Sequence, residues 1–382
     1  MENETLKKEL ANIPSRISLT SDLWTACTTE GYIFLTAHYV DSNWNFKSRI
    51  LNFCRMPPPH TGSELSKKIL EFLSDWGIEK NIFSLTLDNA SANDVMQANL
   101  KRQLALQKWL LSDGEFFHIC CSAHVLNLIV QEGLKLLGDA LEKIRESVKY
   151  VKGSYGRMKK FKECIELIGG VETSVGLSYD VSTRWNSTYL MLQSALKYRR
   201  VFESLSFHDD NYKVFPSEED WEKGDKICTF LLPFYETTNL IFGMSYPTSN
   251  LYFLQFWKIQ CVLMANIKDK DTLIKTWLKK IMIKFDKYWS DYLGVVLDPR
   301  IKLTSLECIY EKVYPLTSNL RTEEIKQKLY TLFEMYHSLH TSSFTTSQTR
   351  SSNTRGESSS HAFTKGLFNV SSLFHYIILC LL

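Results

Sequence analysis

The chain predicts a mixed α/β domain joined to an all-helical block, on three observations. Apolar residues alternate with a period of two in several stretches up to Cys120, apolar residues at helical spacing take over from His124, and serine and threonine dominate after Thr341. A chain of 382 residues with 44% hydrophobic content is long and apolar enough for two domains, or for one large domain carrying an insertion.

The elements follow in order. Ile17, Leu19 and Ser21 alternate with Arg16, Ser18 and Thr20 until Asp22 interrupts, and Tyr32–Val40 is a second β-branched and aromatic run. Thr28, Thr29, Glu30 and Gly31 between them are small or turn-forming, so the two runs predict an antiparallel hairpin. Asn45–Met56 makes a third strand, ended by Pro57, Pro58 and Pro59, which have no N–H to give a ladder. Thr61 or Ser63 can cap a helix with the apolar stripe Leu65, Ile69, Leu70, Phe72 and Leu73, and Gly77 closes it. A fourth strand, Ile82–Leu87, leads through Asp88–Asn93 into a helical run reaching about Trp109, and Phe116–Cys120 is a short fifth strand. Three meandering strands, a helix, a strand, a helix and a strand suit a mixed sheet with helices on its faces.

From His124 the apolar residues Val125, Leu126, Ile129, Val130, Leu134, Leu141, Ile144 and Val148 keep helical spacing, and a lysine-rich helix covers Arg157–Ile168. The 190–340 region is aromatic-rich and helical, without the fixed-period self-similarity of a solenoid. The Ser/Thr tract from Thr341 to about Ser360 buries too little apolar surface to order, and predicts disorder.

Bulk properties narrow the function. With a net charge of +3 the whole chain is no polyanion binder, so a nucleic-acid contact has to come from a local patch. The 9 cysteines, scattered apart from adjacent Cys120 and Cys121, point to reduced thiols of the cytosol or nucleus. The charged N-terminus has no apolar signal-peptide core, and apolar Leu373–Leu382 falls short of the roughly 20 residues of a spanning helix, so no membrane association is expected.

Four groups of residues could carry chemistry. Asp22 and Asp88 each end an apolar strand; they are either ligands for divalent metals or strand-terminal caps for nearby amides. Cys121 and His124 form a C-x-x-H pair with no second pair at finger-like distance, which reads better as a buried histidine at a helix head than as a zinc site. In Asp180-Val-Ser-Thr-Arg184-Trp185-Asn186-Ser187-Thr188, Arg184 and Trp185 can hold a phosphate and stack a base. Equally, Ser182 or Thr183 starts a helix, Trp185 anchors a core and Arg184 pairs with Asp180. Lys152, Arg157, Lys159, Lys160 and Lys162 are a solvated helix face, and also the most basic local patch available to phosphate.

Taken together, Leu19-Thr-Ser-Asp22-Leu-Trp-Thr, Leu85-Thr-Leu-Asp88-Asn-Ala-Ser-Ala-Asn, Cys121-Ser-Ala-His124-Val-Leu-Asn, Asp180-Val-Ser-Thr-Arg184-Trp-Asn-Ser-Thr and Val296-Leu-Asp-Pro-Arg300 resemble, in this order, the transposases of the hAT superfamily, of the plant BED-zinc-finger and RICESLEEPER-like type. The resemblance implies an RNase H-like mixed sheet with flanking helices, interrupted by a large all-α insertion, and DNA transposition with Mg²⁺ or Mn²⁺ at a D-D-E triad. Carried over residue by residue, it makes Asp22 and Asp88 the first two acids and metal ligands, Cys121 and His124 an element beside the active site, and Arg184 and Trp185 a pair for DNA contact or strand positioning. It also implies DNA as partner, a homo-oligomer or related transposase chains, and a nuclear location.

The chain departs from that pattern. No BED finger and no Glu-bearing dimerisation segment of the family's type occur in these residues, and Cys120 stands where an arginine is common. The third acid is therefore expected to be missing, with Asp180 and Asp298 as substitutes without a spacing argument, metal binding weak or vestigial, and no zinc. The expected organisation is a lead-in over 1–14, a partial RNase H-like core over 15–185, a helical region over 186–340, and a Ser/Thr-rich stretch with an apolar tail over 341–382. Three functions follow: a DNA-binding remnant unable to cleave, an active transposase or nuclease completed by a substitute acid or a partner chain, and an interaction scaffold without DNA affinity.

Overall fold

The computed structural model describes residues 2–26, 29–135, 138–172, 176–181, 184–241, 249–267, 272–288 and 303–345. They fall into two compact units, one from the described residues of 1–121, 243–253 and 291–382, the other from those of 122–242 and 254–290.

The first unit is built on a five-stranded sheet of order β3-β2-β1-β4-β5, in which β1 (Ile17–Thr25), β2 (Gly31–Val40) and β3 (Phe46–Arg55) form an antiparallel meander. β4 (Ile82–Leu87) runs parallel to β1, and β5 (His118–Cys120) runs parallel to β4. Antiparallel hairpins close through short loops, whereas a parallel neighbour needs a crossover. Helix α2 (Gly62–Trp76) lies on that crossover, and α3 (Ser91–Leu106) connects β4 to β5.

The alternation read in the sequence becomes a buried face. Ile17, Leu19, Ile33, Leu35, Ile82 and Leu85 from the strands pack with Leu65, Ile69, Leu73, Met96 and Leu100 from the helices in one core. Helix α2 is bounded as its sequence suggests. Thr61 Oγ1 accepts from the Glu64 N–H at 3.3 Å, and Gly77 at φ 67° closes the C-terminus in the left-handed region. A helix α1 (Glu2–Ala11) precedes the sheet where only a lead-in was expected; Leu10 is buried in the sheet's core and Tyr39 Oη donates to Glu9 Oε1 at 2.7 Å.

Three readings need correction. β1 continues through Asp22 to Thr25, because β2 pairs with it as far as Thr25↔Gly31; Asp22 interrupts the apolar alternation without ending the strand. The apolar run after His124 is two helices, α4 (Ser122–Leu134) and α5 (Gly138–Lys152). Thr341–Thr345 close a long helix rather than open a disordered tract, while the remainder of that tract and the apolar tail lie outside the described residues.

The second unit is all-helical: α4 and α5, then α6 (Tyr155–Ile168), α7 (Trp185–Lys197), α8 (Arg199–His208), α9 (Glu218–Ile241), most of α10 (Ser249–Asn266) and α11 (Thr272–Tyr288). In the first unit α12 (Leu303–Val313) packs on α13 (Ser318–Thr345), and Ser112 Oγ donates to Met335 Sδ on α13 at 3.1 Å. The helices of the second unit meet through aromatic rings, with Tyr189 stacked on Tyr235 at 4.6 Å and Phe230 tilted against Trp277 at 5.5 Å.

Candidate functional site

The parallel pairing of β1 and β4 brings the two aspartates together. Its register runs Ser18↔Ser84, Leu19↔Leu85, Thr20↔Thr86, and Asp22 and Asp88 each lie two residues beyond that last pair. The step of two also keeps the side-chain parity of Thr20 and Thr86. Beyond Thr20 the strands part: β1 goes on pairing with β2 alone, while the chain after β4 turns into α3. Asp88 therefore follows the C-terminal end of β4, while Asp22 lies within β1 just past the end of its pairing with β4, on the side where open α/β sheets bind ligands.

Of the two roles left open in the sequence, the structure shows the one in which both acids accept from nearby backbone amides. Asp22 Oδ1 accepts from the Leu23 N–H at 2.9 Å, and Asp88 Oδ1 from the Ala90 N–H at 3.0 Å. The Asn93 amide donates to the same Asp88 oxygen at 2.5 Å. Asp88 Oδ2 carries no hydrogen bond or ion pair among the described residues. Asp22 is exposed and Asp88 half-buried.

The donor set suits a hard divalent cation held by carboxylate oxygens and water, as Mg²⁺ prefers. It is a small set: among the described residues no three or more His, Cys, Asp or Glu side chains gather as a metal site. Beside Asp22, rings of Trp24, Tyr32, Phe34 and Phe53 cluster with centroids 5.5–5.9 Å apart.

On the edge strand β5, His118 Nε2 lies 3.8 Å from Cys120 Sγ. Burial holds His118 below the usual histidine pKa and pushes the Cys120 thiol up, so at neutral pH the pair is an imidazole and a thiol rather than an ion pair. Cys121 closes the first unit, its N–H donating to Leu87 O at 2.8 Å, and His124 sits half-buried in the first turn of α4 in the second unit. The histidine is less enclosed than the sequence suggested, because the fully buried face of α4 begins at Val125.

In the second unit the Asp180 stretch is a helix entry. The Asp180 side chain is 2% exposed and ion-paired to Arg145 Nε at 2.6 Å; Ser187 and Thr188 donate to its other oxygen at 3.0 and 2.9 Å. The expected Arg184–Asp180 pair does not form, since Arg145 from α5 already fills that place. Asp180 is thus committed to the fold and is no substitute metal ligand. Trp185 is 2% exposed and meets Phe234 edge-on, so its ring anchors the core and is closed to a stacked base. Arg184 is exposed and has no ion pair or side-chain hydrogen bond among the described residues. Its neighbour Asn186 is half-buried, with Oδ1 unpartnered. Ser182, Thr183 and Asp298 lie outside the described residues.

The lysine patch on α6 is partly neutralised: Lys160 pairs with Asp209 at 3.0 Å and Lys159 with Glu163 at 3.9 Å. Sequence reasoning also missed Asn127. Its Oδ1 accepts from the Trp185 N–H at 3.5 Å and ties the Cys-Ser-Ala-His helix to the Arg-Trp helix, a contact between segments 58 residues apart.

Comparison with known proteins bears on the fold that carries these residues. Residues 20–116 match the ZBED1 RNase-like domain, 119–230 the ZBED1 RNase-like helical domain, and 250–336 the hAT-like transposase, RNase-H fold. The zinc finger BED domain-containing protein RICESLEEPER 2 of Oryza sativa subsp. japonica is 37% identical over 341 residues, 88% of this chain and 47% of that protein. The chain belongs to the hAT-like transposase family. Other hAT relatives are the putative AC transposase of Zea mays, 33% identical over 88% of this chain and 43% of its own length, and DAYSLEEPER of Arabidopsis thaliana, 32% identical over 91% and 50%. The chain spans about half the length of the curated hAT relatives it matches. The sheet with its helical block is accordingly an RNase H-like core interrupted by an all-α insertion.

Proposed function

We propose that this 382-residue chain is a transposase-derived DNA-binding protein that keeps two acids of a metal-dependent strand-transfer centre and does not by itself cleave or join DNA. The observation that supports the reading is the β1–β4 register, whose last pair, Thr20↔Thr86, has Asp22 and Asp88 each two residues further on. Those two side chains would hold one Mg²⁺ or Mn²⁺. A bound cation of this kind supplies charge stabilisation for phosphoryl oxygens, and with two carboxylates and no third among the described residues its hold is weak. Asp180 cannot complete the set, being tied to Arg145.

DNA contact falls to Arg184, the exposed cation at the head of α7, and to the α6 face, where Arg157 and Lys162 add to Lys159 and Lys160, whose carboxylate partners phosphate would have to displace. The protein acts in the nucleus, where its target lies, as a homo-oligomer or with related transposase chains. No helix among the described residues is long and apolar enough to cross a membrane, and none is required for this role.

Purified protein with labelled transposon-end DNA tests the proposal. The expected result is a gel shift whose affinity falls steeply with salt, as phosphate contacts dictate, with no nicking in Mg²⁺ or Mn²⁺. Arg184→Ala is expected to weaken binding at every sequence and to lower the salt slope by about 1. Nicking that disappears in Asp22→Ala would make the chain an active nuclease instead, and the absence of any shift would make it an interaction scaffold.

A further inference from the structure

We infer that Asn93 is a positioning residue: it holds one oxygen of Asp88 so that the other is presented to a divalent cation shared with Asp22. The inference rests on reading Asp22 and Asp88 as a cation-binding pair.

A carboxylate turns easily about its last bond, since that torsion has a broad profile. At Asp88 the turn is blocked. Oδ1 receives two donors, the Ala90 N–H at 3.0 Å and Asn93 Nδ2 at 2.5 Å, whereas Oδ2 receives none among the described residues. Asn93 is 8% exposed, in the first turn of α3, so packing fixes its own side chain. It touches Asp88 through that hydrogen bond and lines a narrow, largely apolar crevice with Asp22, Leu65, Leu87 and Met96, which brings it near both acids.

The residue type matters. An amide donates without adding charge, whereas a carboxylate at this distance from Asp88 would repel it and raise its proton affinity. Partners that orient metal-binding carboxylates in this way change metal affinity about 10- to 100-fold when removed.

A purely structural role for Asn93 predicts something else, and Gln97 supplies the comparison. One turn further along α3, Gln97 is 2% exposed and its Nε2 donates to Leu85 O at 2.9 Å, a buried bond that leaves Asp88 untouched. The test is a Mn²⁺ titration of the full chain, by calorimetry or by electron paramagnetic resonance of free Mn²⁺, with circular dichroism as the check on folding. Asn93→Ala is expected to weaken Mn²⁺ binding about 10- to 100-fold, and Gln97→Ala to lower thermal stability while leaving Mn²⁺ affinity unchanged.

Asn93→Gln keeps the amide but moves its nitrogen by a methylene; it is expected to weaken binding in the same direction, and serves if the alanine variant does not fold. Unchanged affinity in the folded Asn93 variants, or an equal loss in Gln97→Ala, would overturn the inference and leave the aspartate pair standing. Mn²⁺ binding no tighter in wild type than in an Asp22→Asn, Asp88→Asn double variant would remove the pair itself, and the inference with it.

Discussion

At the scale of single residues, charge is placed where the fold can neutralise it. Asp180 has Arg145, Ser187 and Thr188 around it; cutting it back to alanine leaves the guanidinium with exposed Glu142 as its remaining partner. Asp180→Ala should cost about 3 kcal/mol, the loss typical of stranding one member of a buried pair, and should leave Mn²⁺ affinity unchanged. Urea unfolding and the Mn²⁺ titration read the two effects separately; a fall in metal affinity would return Asp180 to the list of acids.

His38 gives a pH dependence. Its Nε2 sits 3.0 Å from Thr20 Oγ1, and burial lowers its pKa below the ordinary histidine value. The folded protein therefore binds fewer protons than the unfolded chain. The stability this group contributes is complete above an unfolded pKa of about 6.5 and is lost as pH falls toward the folded value. His38→Asn should flatten the decline of the urea midpoint between about pH 7 and pH 5, with the remaining slope shared by His118, whose pKa burial lowers likewise. An unaltered pH profile would count against a buried neutral imidazole.

At the scale of elements, close approach decides what is tolerated. α4 packs on α11 at Gly133, where an added Cβ would lie 2.6 Å from Trp277 Nε1 and 2.7 Å from Ile281 Cδ1. Gly133→Val should therefore destabilise by about 1–3 kcal/mol through overpacking, seen as a lower urea midpoint; no change would mean the two helices can move apart.

The elements were also the most legible part of the sequence. Period-two alternation gave the meander, β4 and β5, and Thr61 with Gly77 gave both ends of α2, because these signals are local. Asp22 was misplaced at a strand end for a non-local reason: whether a polar residue interrupts or ends a strand depends on its partner, and Phe34 of β2 pairs across from it. The run after His124 hid a division between α4 and α5, since both keep the same apolar spacing.

At the scale of the whole molecule, the hAT-like transposase fold brings together what the sequence separates. Asp22 and Asp88 are 66 positions apart, yet each lies two residues past the last pair of the β1–β4 ladder, a relation that strand pattern could suggest and only the pairing register shows. The Arg145–Asp180 pair and the Asn127–Trp185 contact were not legible, because they join helices whose docking no local signal records. Trp185 shows the same limit: tryptophan beside arginine reads as a base-stacking pair until burial closes its ring.

The central claim, that Asp22 and Asp88 act as one cation site, is tested most directly by a double-mutant cycle in Mn²⁺ affinity. Wild type should bind, Asp22→Asn and Asp88→Asn should each lose most of the affinity, and the double variant should be scarcely worse than either, because two ligands of one ion are not additive. Losses that simply add, or no loss in one of the single variants, would contradict it.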